Sequence, residues 1–192
     1  WRRAVVVDDH QPAARPEHTH RFGERLAAHG LGHLVQQEEQ QHLVVLRVGA
    51  GQRRGIAMLQ HGYFREAVAI EPAPGNFELL TRNIAQNGYA GSIRAFRGAV
   101  SDVSGEIEIE LSAENEGDHR VRAPRSFVPA LMEEEKRRVV RVPGLTLDEL
   151  LTSAVPVDPK RIGLVWVDVQ GHEGQLFRGA CRVLSHGAPV LN

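Results

Sequence analysis

From His42 onward the chain alternates short apolar runs with longer amphipathic segments. Leu43 to Val48 is apolar except for Arg47, and Val68 to Ile70 is a second run. Each leads through a turn containing Gly or Pro into a helix-like segment. Parallel strands need crossover connections, and crossover helices cover both faces of the sheet, so the alternation predicts a parallel sheet with helices on either side. Pro72-Ala73-Pro74-Gly75-Asn76 opens a helix carrying Phe77, Leu79, Leu80 and Ile84, which closes at Asn87-Gly88. Ile93 to Phe96 reads as a third strand. Ile162 to Val169 is the strongest strand of the chain, and beyond Gln170-Gly171-His172-Glu173-Gly174 a helix is expected over Gln175 to Leu184.

Glu106 to Leu111 alternates acidic and apolar residues, the period of a strand with one wet face. Residues 112 to 127 carry no period and read as a long surface loop, in which Asn115, Asp118, His119 and Arg120 are candidates for contact with a substrate. The charge run Glu133 to Arg138 reads as a solvated helix end. Val139 to Val142 then leads to Gly144-Leu145-Thr146, where Thr146 can cap a short helix. Residues 1 to 42, rich in His, Gln, Arg and Glu, give at most a helical or irregular cover. No repeat or low-complexity tract marks a second domain. A start at Trp1 rather than Met and an end inside an apolar run suggest a fragment.

Composition narrows the function. The 192 residues contain 23 Lys plus Arg and 24 Asp plus Glu, a net charge of -1, so no general field draws in nucleic acid or an anionic membrane. No run reaches the roughly 20 apolar residues that span a bilayer, and the N-terminus is no signal peptide. A soluble, cytoplasmic protein with a small-molecule partner is expected. Cys181 is the only cysteine, so an intramolecular disulfide is excluded, and no Cys/His cluster has zinc spacing. No metal is expected, and the oligomeric state is not readable.

Ligands of open parallel sheets bind beyond the carboxyl ends of the strands. Three such ends carry suggestive residues. Gly49, Ala50 and Gly51 form a small-residue turn from strand to helix, where backbone N–H groups can approach a ligand. Glu71 follows about 20 residues later, the spacing at which a carboxylate accepts hydrogen bonds from ribose hydroxyls. It serves equally as a cap for the helix that follows. At the third end, Asp168, His172 and Glu173 offer a general base and orienting carboxylates, or the cap and first turn of the next helix. The glycine spacing and the last block argue against a nicotinamide-dependent oxidoreductase.

Taken in order, the blocks Val48-Gly49-Ala50-Gly51, Ala69-Ile70-Glu71-Pro72-Ala73-Pro74-Gly75-Asn76-Phe77, Arg97-Gly98-Ala99-Val100-Ser101-Asp102, Leu145-Thr146-Leu147-Asp148-Glu149-Leu150, and Val165-Trp166-Val167-Asp168-Val169-Gln170-Gly171-His172-Glu173-Gly174 with Arg178-Gly179-Ala180 resemble an FkbM-type methyltransferase over roughly residues 43 to 192. The resemblance implies an α/β fold of the class I methyltransferase (Rossmann-like) kind, a three-layer sandwich with a mostly parallel sheet. Its C-terminal strands would be missing, because the fifth has barely begun at Pro189-Val190-Leu191. It further implies an S-adenosylmethionine-dependent transfer to a hydroxyl oxygen of a small molecule, sugar or natural-product intermediate. Gly49, Ala50, Gly51 and Glu71 would hold the methionine and ribose side of S-adenosylmethionine. Ala99 and Val100 would lie against adenine with Asp102 nearby, and Asp168 would face the sulfonium, with His172 and Glu173 beside it. Arg47 stands where the family pattern carries an acidic residue. It motivates a second reading, a catalytically silent methyltransferase-like module that no longer binds cofactor.

Overall fold

The structure, a computed structural model, describes residues 43–46, 52–113, 118–122, 137–187 and 190–191. In chain order these form β1 (Leu43–Leu46), α1 (Gln52–Gln60), β2 (Glu66–Glu71), α2 (Pro74–Gln86), β3 (Ile93–Arg97), β4 (Ala99–Val100), β5 (Gly105–Leu111), β6 (Arg120–Val121) and β7 (Arg138–Leu145). There follow α3 (Leu147–Glu149) running into a π-helical turn at Leu150–Ala154, a 3-10 turn at Pro159–Arg161, β8 (Ile162–Trp166), α4 (Glu173–Arg178), α5 (Cys181–Leu184) and β9 (Val190–Leu191).

The apolar runs become a five-stranded sheet in the order β3-β2-β1-β8-β9, with every neighbouring pair parallel. β2 shows why: five of its six residues are buried, so it has no wet face and belongs inside a covered sheet. On one side Ala67, Ala69 and Leu164 pack with Ile56 and Met58 of α1 and Leu80 and Ile84 of α2. On the other, Val68, Ile70 and Val165 pack with Leu147, Leu150 and Leu176. α2 opens with Pro at its first turn, as its sequence predicts, and buries Asn76, Leu80, Asn83 and Ile84, one helical stripe. Consecutive residues Leu43 and Val44 pair with Ile162 and Leu164, so Gly163 is bulged out of the ladder.

The remaining four strands form a separate sheet in the order β4-β7-β5-β6, in which β5 runs antiparallel to both neighbours. The expected single, mostly parallel sheet is therefore corrected to a parallel sheet plus a smaller mixed one. The physical reason lies in β5, whose alternation gives it one apolar face only. Ile107, Ile109 and Leu111 pack with Ala99, Val140 and Val142. Glu108 and Glu110 meet Arg122 and Arg120, each at 3.1 Å, and Glu106 meets Arg141 at 3.4 Å. The polar face is not wet throughout: Glu110 is only 2% exposed.

Other expectations change with it. β6 lies inside the stretch read as a 112 to 127 loop, because Ile109 and Glu110 of β5 pair with it. Arg138, read as the close of a helix, opens β7 instead. β8 ends its ladder at Trp166 rather than Val169, since β9 pairs only as far as that residue. The helix expected over Gln175 to Leu184 is two helices broken at Gly179-Ala180. Thr146 caps α3 as expected, its Oγ1 accepting from Glu149 N at 3.1 Å. The cover of residues 1 to 42, Arg47, the Gly49-Ala50-Gly51 turn and Asn115 lie outside the described residues.

Candidate functional site

In a β3-β2-β1-β8-β9 sheet the chain winds outward in both directions from the seam between β1 and β8, and such a seam opens a crevice at the carboxyl ends of the strands. Glu71 ends β2 there. Its side chain is 2% exposed, and its Oε1 accepts from Ala73 N at 2.8 Å. The carboxylate thus braces the Pro72-Ala73 approach to α2, at the position where a ribose-binding carboxylate is expected. The Glu71 backbone carbonyl accepts from Gly98 N at 3.3 Å, which ties the end of β2 to the start of β4.

Gly98 admits no side chain, because a Cβ there would overlap the Phe96 ring and sit 2.5 Å from the Pro143 carbonyl oxygen. That close approach delivers Ala99, Val100 and Ser101, all buried, to the same edge. Asp102 follows, partly exposed. Arg178 of α4 holds it by two hydrogen bonds to Oδ2, at 3.1 Å from Nε and 3.0 Å from Nη2. These bonds hold the Asp102 carboxyl below the usual carboxylate range, with Ser101 contributing. Gly179 continues the theme, since a Cβ on it would overlap the Ser101 carbonyl. The Arg178-Gly179-Ala180 and Val100-Ser101-Asp102 blocks are therefore packed backbone against backbone.

After β8 the chain turns sharply through Gln170 at φ 46° and Gly171 at φ 86°. Left-handed φ is costly for a residue with a Cβ, so the turn is sustained by its surroundings. Gln170 Nε2 donates to Asp168 Oδ1 at 3.1 Å, and Glu173 Oε1 accepts from Gly171 N at 3.3 Å. Asp168 and Glu173 thus shape the turn that presents His172. The half-buried imidazole places its Nε2 2.9 Å from Ser101 Oγ. Burial pulls the His172 pKa below its ordinary 6.5, against the upward pull of Asp102 and Glu173. The ring is neutral at pH 7 and able to accept a proton.

His172 and Val169 line a small depression with Pro72, Ala99, Val100, Ile109 and the segment His119 to Val121, about 280 Å³ of space that is partly open solvent. The depression joins the segments that follow β2 and β8 to a wall supplied by β4, β5 and β6 of the second sheet. Of the residues singled out in the sequence, the structure gathers Ala99, Val100, His119, Arg120 and His172 around it. Asp102 is joined to His172 through Ser101. Ser101 and Arg178 were not singled out as site residues, although both lie in blocks that carry the family resemblance. Among the described residues no group of three or more His, Cys, Asp or Glu side chains is placed to hold a metal ion. Nor is any described helix long and apolar enough to cross a membrane.

Comparison with known proteins gives one family match: the model of the methyltransferase FkbM domain matches residues 50–191, about three-quarters of the chain. No curated protein and no solved structure matches it.

Proposed function

Because the chain belongs to the methyltransferase FkbM domain family, whose general activity is methyl transfer, we propose that it methylates a hydroxyl oxygen of a small molecule, sugar or natural-product intermediate. The donor is S-adenosylmethionine, held on a class I, Rossmann-like arrangement in the cytoplasm, with neither nucleic acid nor membrane as partner. The observation that carries this reading is the depression at the carboxyl edge, where a neutral His172 stands beside the small apolar side chains of Ala99 and Val100.

The residues fit that cofactor chemically. Glu71 is a buried carboxylate at the end of β2, suited to two ribose hydroxyls, and the apolar Ala99 and Val100 line the depression in which a purine would lie. Bound S-adenosylmethionine supplies an electrophilic methyl group on sulfur. The part left to the chain would be to hold the acceptor oxygen facing that methyl group and to take up its proton. The acceptor's proton passes to His172, which is the candidate base. Asp168 and Glu173 hold the turn that aims the ring, and His119 closes the acceptor side.

Calorimetric titration with S-adenosylhomocysteine tests the reading. Micromolar binding is expected, weakened on the order of tenfold or more in Glu71→Gln, the cost of a hydrogen bond to a charged group. A folded chain that binds none would support the cofactor-free module instead, the reading motivated by Arg47.

A further inference from the structure

The Ser101 hydroxyl stands between two acceptors and has one proton to give. Its Oγ lies 2.9 Å from His172 Nε2 and 3.1 Å from Asp102 Oδ1. An ionised carboxylate can only accept, and a hydroxyl donates to it in preference to a neutral ring nitrogen because that bond is charge-assisted. Arg178 keeps Asp102 ionised through its paired hydrogen bonds to Oδ2. With its proton committed to Oδ1, Ser101 Oγ can only accept from the ring, so Nε2 must carry hydrogen. The reverse arrangement would set lone pairs of Oγ and Oδ1 against each other at 3.1 Å.

We propose that Ser101 and Asp102 are positioning residues that lock His172 in its Nε2–H tautomer and leave Nδ1 as the atom that takes the acceptor's proton. The proposal rests on the reading of His172 as the base. Gly179 makes the arrangement rigid, because its missing side chain lets α4 close onto the Ser101 backbone. Ser101 N is itself tied to Leu145 O at 3.0 Å. The charged and titratable groups around the ring are Asp102 from the turn after β4, Glu173 and Arg178 from α4, Asp168 from the end of β8, and His119 and Arg120 across the depression. Asp102 and Glu173 favour the imidazolium, while burial and Arg178 oppose it. His119 is itself fixed, since its Nδ1 accepts from Ser112 N at 3.0 Å and its proton therefore lies on Nε2.

Nitrogen-15 NMR of the full chain reads the tautomer directly, with His172 assigned by the signal lost in His172→Gln. Above the titration midpoint Nε2 is expected to resonate as a protonated ring nitrogen and Nδ1 as an unprotonated one. Ser101→Ala is expected to return the ring to a mixture of tautomers. Asp102→Asn, at a partly exposed position that leaves folding intact, is expected to lower the midpoint by about half a pH unit or more, since it removes an anion that stabilises the imidazolium. An unprotonated Nε2 in the wild-type chain, or a midpoint unmoved in Asp102→Asn, overturns the proposal. The ring signals need neither cofactor nor acceptor, so their failure is distinguishable from failure of the methyl-transfer reading, which the S-adenosylhomocysteine titration reports.

Discussion

The two sheets bury their strands differently, and the difference decides where chemistry sits. In the parallel sheet β2 is covered on both faces, so no side chain from Ala67 to Ile70 can meet a ligand. The polar residues of β2 are its two end residues, Glu66 and Glu71, and those that follow β8 begin at Asp168. In the mixed sheet β5 spends one face on Ile109 and its apolar neighbours and the other on a ladder of ion pairs. Its contribution to the depression is lateral, through Ile109 and the adjoining His119 to Val121. The parallel sheet presents reactive groups from its ends, and the mixed sheet walls them in.

Four substitutions test that division. His172→Gln is expected to lower the methyl-transfer rate by between about 100-fold and 10,000-fold while thermal unfolding stays close to wild type, because the ring sits at a strand end and not in the core. With His172 as the proposed base, the wild-type rate is expected to fall on the acid side only. Its folded pKa lies below 6.5, so the neutral, proton-accepting ring is lost as pH drops through that lower midpoint. A rate that is flat down to pH 4 would remove His172 from the reaction.

Leu150→Ala acts on the core instead. Leu150 is fully buried beneath the parallel sheet, and its truncation is expected to cost about 3 kcal/mol in chemical denaturation. Gly179→Ala comes next, at about 1–3 kcal/mol, because the new methyl group must displace the Ser101 backbone. Unlike Leu150→Ala, it should also disturb the His172 ring signals. Arg141→Ala is the smallest. Its side chain is 64% exposed, and loss of its contacts with Glu106 and Glu108 should change stability by under about 0.5 kcal/mol. An effect on turnover from Arg141→Ala would break the division between the sheets.

The sequence made the parallel strands and α2 legible, because Val68 to Ile70 and the Leu80–Ile84 stripe state their burial locally. It also showed β5, whose Glu-Ile alternation has only one interpretation as local structure. What β5 pairs with was hidden, since register with β7 and β6 depends on residues tens of positions away. β6 is two residues long, too short for any period to announce it. The need for glycine at position 179 was hidden for the same reason: a side chain there would meet the Ser101 carbonyl, 78 residues earlier in the chain. At the site, Glu71 and His172 were visible as polar residues ending apolar runs. Ser101 was not, because its role comes from contact with a ring 71 residues distant.

The bulge at Gly163 also acts as a phase setter. Ile162 faces the Leu147 and Leu176 side, yet Leu164, two residues on, faces α1, and from there Val165 and Val167 return to the first side. Side chains alternate along a strand, so the order in which β8 arrives at its end is decided by that one uncounted glycine. Closing the bulge, so that Gly163 took a regular place in the ladder, would leave the chain length unchanged and yet turn the end of β8, with the turn that presents His172, to the opposite side of the sheet.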